Sequence, residues 1–138
     1  MTRLLTEAAS STAPDSNSAA LRLQEGLGHF HQGAYPQAIA AFSAAIQADP
    51  ENADGYAYRG DSHRLCCAYE LAVADLTQAI RLVPCRGRDY VSRGLAYQLL
   101  GNYESAIADF TEAIRLNPHD SAAYTHRGSA QGNRTSWL

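Results

Sequence analysis

The chain of 138 residues contains no lysine; all 11 of its basic residues are arginines. That removes the Schiff base and the phosphate-loop lysine from consideration. Net charge of either sign is small, −3, with a pI near 5.9. Proteins that grip nucleic acid by neutralising phosphates are basic, so no nucleic-acid partner is expected. No apolar run approaches the roughly 20 residues that span a bilayer, so no membrane partner is expected either. The first 20 residues lack a secretory core: Leu4-Leu5 is followed at once by Glu7. Residues 1–18, rich in Ser, Thr and Ala, are expected to form a mobile tail. There are only three cysteines, Cys66, Cys67 and Cys85. An odd count with two adjacent members makes a poor disulfide framework, and a reducing, cytoplasmic setting is the expectation.

Hydrophobic residues at 46% and charged residues at 18% are a globular composition. The organising feature is an internal repeat. Pro50, Pro84 and Pro118 are spaced by 34 residues, and so are Gly26, Gly60, Gly94 and Gly128. Tyr35, Tyr69 and Tyr103 keep the same period, as do Ala38, Ala72 and Ala106. Apolar residues recur three and four apart in each copy, for example Ala106, Ile107, Phe110, Ala113 and Ile114, which is one helical stripe. Gly33 and Gly101 fit helix C-terminal caps. Pro36 sits where a first-turn proline is tolerated, and the three periodic prolines end the second helix of each pair. Strict alternation is absent, so no strand is predicted. The pattern predicts helices near 19–32, 35–48, 53–66, 69–82, 87–100, 103–116 and 121–131.

A 34-residue period with this punctuation resembles the tetratricopeptide repeat. Tyr90, Gly94, Tyr97, Gly101, Tyr103, Ala106, Phe110, Ala113 and Pro118 fill the family pattern in the third copy. The second matches at Tyr56, Gly60, Tyr69, Ala72, Leu76, Ala79 and Pro84, with Cys67 where Gly101 stands later. The first matches from Gly26 to Pro50 but carries Arg22 in place of the aromatic. The resemblance implies an all-α, right-handed superhelical solenoid of three helix pairs plus a single C-terminal helix. The expected repeats are 19–52, 53–86 and 87–120, with a partial repeat 121–131 and a tail 132–138. The last helix either caps the stack or is the first half of a further repeat in a longer array.

The motif Tyr-Xaa-Xaa-Arg-Gly occurs three times, ending at Gly60, Gly94 and Gly128. Asp75 and Asp109 accompany the first two, which predicts the ion pairs Arg59–Asp75 and Arg93–Asp109. Pairing with the next repeat, Asp75 with Arg93 and Asp109 with Arg127, is the alternative. Structural ion pairs explain such arginines better than an anion site. His63, Cys66, Cys67 and Cys85 are the nearest approach to a metal set. Adjacent Cys66 and Cys67 point about 100° apart on a helix, so they do not face one ion together, and no metal is expected. No nucleophile elbow, acid–base pair or glycine-rich phosphate loop is present, so neither enzyme activity nor a cofactor is expected.

The resemblance also implies a concave groove lined by the first helices, where a peptide or partner helix lies. Position by position this groove comprises Leu23, Leu27 and His31, then Asp54, Tyr58, Asp61, Arg64 and Leu65. The third repeat adds Arg88, Ser92, Leu95, Gln98 and Leu99, and the last helix adds Thr125, His126 and Ser129. Some of these leucines are alternatively packed between neighbouring helices. Leu and Tyr would supply burial, and Asp54, Asp61, Arg64 and Arg88 would set register. The family's best-known groove clamps the C-terminal carboxylate of heat-shock chaperones with Lys and Asn. Leu23, Leu27, Tyr58, Arg88 and Ser92 stand at those places, which argues against a chaperone tail as ligand. The expected function is a non-enzymatic scaffold for another protein or peptide. A homo-oligomer built through open solenoid ends is the alternative.

Overall fold

The computed structural model describes residues 15–135. They form seven helices and no strand: α1 Ser16–His31, α2 Tyr35–Ala48, α3 Ala53–Leu65, α4 Tyr69–Leu82, α5 Gly87–Leu99, α6 Tyr103–Leu116 and α7 Ser121–Thr135. Local chemistry sets their ends. The side chains of Asp15, Asn52, Asn102 and Asp120 accept backbone N–H groups in the first turns of α1, α3, α6 and α7. Pro36 lies in the first turn of α2. Gly33 and Gly101 leave α1 and α5 with φ of 75° and 81°. Cys67 takes the same left-handed place after α3 with φ 64°, which costs a residue with a Cβ about 1 kcal/mol.

Two boundaries differ from expectation. Asp15 caps α1, so residues 16–18 belong to that helix and not to the tail. At the other end α7 continues through residues 132–135, because Gly132 does not adopt a left-handed φ and cannot act as a C-cap. Arg134 of that extension reaches Glu104 at 3.2 Å. The remainder of the expected tails, residues 1–14 and 136–138, lies outside the described residues.

Consecutive helices pack against one another along the chain. First helices also touch the next first helix, α1 to α3, α3 to α5 and α5 to α7, whereas α2, α4 and α6 do not touch each other. The first helices therefore line the inner, concave side and the second helices the outer side. The core repeats one contact three times. Phe42, Leu76 and Phe110 are fully buried. They press on Gly26, Gly60 and Gly94, where a Cβ would lie 2.4, 2.8 and 2.6 Å from them. Only hydrogen at these Cα atoms lets the helices approach so closely. At Gly128, the fourth member of the series, an added Cβ meets nothing within 4 Å.

One substitution should therefore change sign along the series. Gly94→Ala should destabilise by about 1–3 kcal/mol through overpacking on Phe110. Gly128→Ala should stabilise by about 0.5–1 kcal/mol through helix propensity alone. Urea unfolding of both variants measures the contrast, and loss of stability in both would show that the notch is not the cause.

Candidate functional site

Arginine on the inner helices does two different jobs. Arg59 donates from Nε and Nη2 to both oxygens of Asp75, each at 2.8 Å, and from Nη1 to Ser43 Oγ. Arg93 repeats this on Asp109 at 2.9 and 2.7 Å, with Nη1 on Thr77 Oγ1. The expected within-repeat pairs are thus formed. The alternative pairing with the next repeat is not, since Arg127 instead donates to Thr111 Oγ1. Burial raises the Asp109 pKa even against the pull of Arg93. His63 lies 3.7 Å from Asp75, and burial pushes its pKa down. It is a half-buried neighbour of this pair. Among the described residues no group of three or more His, Cys, Asp or Glu side chains is placed to hold a metal ion. Cys66, Cys67 and Cys85 are all exposed thiols.

The second job belongs to the concave face, where two clusters of charge form between α3 and α5. Asp61, only 4% exposed, accepts from Arg88 at 2.8 Å and has Arg64 3.9 Å away. The Arg88 guanidinium also lies 4.9 Å from the Tyr58 ring centroid. Within this cluster Asp61 Oδ1 and Arg64 Nε are buried without a hydrogen-bond partner. Arg88 also feels the charge of Asp89, which joins this cluster to a second one. At the start of α5, Arg86 bonds Asp54 and lies 3.5 Å from Asp89. Asp89 is 2% exposed, and its Oδ2 has no hydrogen-bond partner. Burial raises its pKa, Arg86 and Arg88 oppose the shift, and Asp61 and Asp54 reinforce it. A shallow cleft lined by Glu51, Asn52, Asp54, Val83 and Arg86 opens beside this second cluster.

The structure sorts the expected groove residues into two sets. Leu23, Leu27, Arg64 and Tyr58 are half-buried, His31, Leu65 and Leu99 are exposed, and Arg88 keeps half of its side chain in solvent. Leu65 and Leu99 are 41% and 58% exposed. Leu95 instead packs with Val91 and Ile107 on the Ala106–Phe110–Ala130 core cluster. Ser92 is buried, and Gln98 donates to Ser129 Oγ, tying α5 to α7. His126 packs on Phe110, its ring centroid 5.6 Å away. Thr125 is exposed. Sequence reasoning missed Phe30, whose ring meets Tyr35 and Tyr58 edge-on at 5.6 and 6.2 Å and so bridges α1 to α2 and α3. It also missed Arg86 and Asp89.

Comparison with known proteins agrees with this geometry. The profile described as "Tetratricopeptide repeat" matches residues 88–120, and that described as "TPR repeat" matches residues 26–64. The second TPR domain of human RPAP3, solved with the HSP70 peptide SGPTIEEVD, is 30% identical. That match spans 82% of this chain and 98% of the other, with a TM-score of 0.77. The chain belongs to the tetratricopeptide repeat family. The second TPR of Spaghetti (RPAP3), bound to the HSP90 peptide SRMEEVD, is 32% identical over 74% of this chain and 94% of that one, with a TM-score of 0.72. Its first TPR, bound to the same peptide, shares the fold at a TM-score of 0.87 with 24% identity, covering 88% and 97% of the two chains. No curated protein matches by sequence. Tetratricopeptide repeats are a non-enzymatic protein-interaction fold, and the chain is a scaffold of that kind. No helix among the described residues is long and apolar enough to cross a membrane.

Two expectations follow for this tetratricopeptide repeat domain. Asp75→Ala should cost about 2–4 kcal/mol, because it strands Arg59 in a largely buried place. An unchanged urea midpoint would show that the pair is not structural. Asp89 should act with pH in the opposite sense to an ordinary salt-bridged carboxylate. Its folded pKa is raised, so the native state takes up a proton before the unfolded chain does. Its charge therefore costs stability at neutral pH, and the cost disappears as pH falls through the raised value toward the ordinary 3.8. Asp89→Asn should gain on the wild type as pH rises across that window. A difference constant with pH, measured by urea unfolding, would show that burial does not govern Asp89.

Proposed function

We propose that the concave groove between α1, α3, α5 and α7 holds a short extended or helical segment of another protein. Leu23, Leu27, Phe30, Tyr58, Leu65 and Leu99 supply apolar contact along it. The observation that carries this reading is the Asp61–Arg64–Arg88 cluster, in which Arg88 keeps half of its side chain in solvent. A partner of matching chemistry places one carboxylate there between apolar side chains. The RPAP3 domains at 30% and 32% identity were solved with peptides of this length class, which supports groove binding as the mode. Their peptides end in Glu-Glu-Val-Asp and carry several carboxylates. Here Leu23, Leu27, Tyr58 and Ser92 offer no cation, and Arg88 is already held by Asp61. The reading therefore favours a ligand with a single acidic group over a chaperone tail. Three exposed free thiols fit a reducing, cytoplasmic setting.

Self-association through the solenoid ends is the second reading, favoured by Gly128, beside which no described side chain packs. It requires a sedimentation coefficient that rises with protein concentration.

Peptides selected from a displayed random library test the groove. Winners on the wild type should combine apolar residues with one Asp or Glu. They should lose about tenfold or more in affinity for a Leu65→Asp/Leu99→Asp variant, since both positions are exposed and the fold should tolerate the change. The peptide SRMEEVD should show no saturable binding in the same assay. Equal affinity for wild type and variant would remove the groove from consideration.

A further inference from the structure

Helices α1, α3 and α5 end in the same backbone turn. After α1, the Gly33 N–H donates to the Phe30 carbonyl and the Ala34 N–H to that of His29. After α5, Gly101 donates to Gln98 and Asn102 to Tyr97. After α3 the donors are Cys67, to Arg64, and Ala68, to His63 at 2.8 Å. The left-handed place in this turn suits glycine, and Gly33 and Gly101 hold it in two of the three. Cys67 is the one non-glycine residue at positive φ among the described residues. A thiol therefore stands where its Cβ lowers stability.

A second thiol precedes it. Cys66 is the C-cap of α3, with φ −90° and ψ 8°, and both thiols are exposed. Neither residue lies within a helix, since α3 ends at Leu65 and α4 begins at Tyr69. The divergence of about 100° between adjacent side chains on a helix thus does not apply to them. The Tyr69 hydroxyl, in the first turn of α4, shares a hydrogen bond with the Cys67 thiol. Cys85 lies beyond the far end of the 14-residue α4, a helix about 20 Å long, and is out of reach of the pair. Two sulfurs are what this corner offers.

That number selects the ligand. A structural zinc ion wants four ligands, and no group of three or more is placed for one among the described residues. A direct disulfide also fits poorly. Consecutive Cα atoms lie about 3.8 Å apart, whereas bridged cysteines usually need about 4.4 Å or more. One soft atom bonded to both sulfurs at about 2.3 Å relaxes that limit, because it accepts sulfurs up to about 4.6 Å apart. We infer that Cys66 and Cys67 form a two-sulfur chelating site for a trivalent arsenical that bears one organic group. Such a centre keeps its bond to carbon and has two positions to exchange. The arsenic–oxygen bond of R–As=O breaks and two arsenic–sulfur bonds form. Both thiol protons leave with the oxygen as water, and no atom changes oxidation state. The second arsenic–sulfur bond closes within the molecule, which makes the chelate far tighter than attachment to one thiol. None of this depends on what the groove holds.

The probe is phenylarsine oxide, added to the reduced 138-residue chain and followed by intact-protein mass spectrometry. One phenylarsenic group per chain, replacing two protons, is expected. It should survive an excess of a monothiol and be released by 2,3-dimercaptopropanol. Cys67→Gly restores the residue that the turn has after α1 and α5, so its urea midpoint should be no lower than that of the wild type. The same variant should lose about a hundredfold or more in affinity for the arsenical, as should Cys66→Ser. Cys85→Ser should bind as the wild type does. An adduct kept by Cys67→Gly, or one lost with Cys85→Ser, would overturn the inference. So would an adduct that a monothiol removes, or separate attachment of arsenic to single thiols.

Discussion

Each helix pair closes only because the inner helix has no side chain where the outer helix delivers one. Phe42, Leu76 and Phe110 occupy the space that a Cβ on Gly26, Gly60 or Gly94 would need. With that contact made, alanines such as Ala38, Ala72 and Ala106 are fully buried and the helices pack at short range. The same proximity brings Asp75 and Asp109 within bidentate reach of Arg59 and Arg93. Two guanidinium groups that would cost much to bury alone are thus neutralised at the seams. Inner helices then touch their neighbours while outer helices do not, which curves the stack and creates the concave face.

Much of this could be read from periodicity, because the period records contacts made in every repeat. Gly33, Gly101 and the closing prolines located the helix ends, and joint occurrence of Arg and Asp in two copies pointed to Arg59–Asp75 and Arg93–Asp109. What the period could not convey was depth. Leu95, Ser92 and Asp61 share helical positions with groove residues, but neighbouring side chains cover them. Features confined to one repeat were also hidden. At the position of Asp89 the adjacent copies carry Gly55 and Ala123, so no pattern marked a buried carboxylate there. Phe30 escaped notice for the same reason, with Arg64 and Gln98 at its place in later copies. The helical extents of residues 16–18 and 132–135 depend on an aspartate cap and on a glycine that stays helical, both local events beyond the period.

The concave face differs from a simple cationic cradle. Its arginines are partly spent on the protein's own carboxylates: Arg88 on Asp61 and Arg86 on Asp54. Asp61 is covered and cannot leave, so an incoming carboxylate would share Arg88 and Arg64 with it. Such an arrangement weakens the response to any generic acidic segment and rewards one whose apolar flanks also fit.

The pattern of neighbours has a consequence for how the chain acquires this shape. Among the described residues no helix touches another more than two elements away in sequence, so no described contact joins the first repeat to the last. Closing each repeat requires only short loops, and the entropy of bringing distant segments together is small. A repeat can therefore form as soon as its own two helices exist and then template the next one. The middle helices, braced on both sides, should be the last to exchange their amide hydrogens.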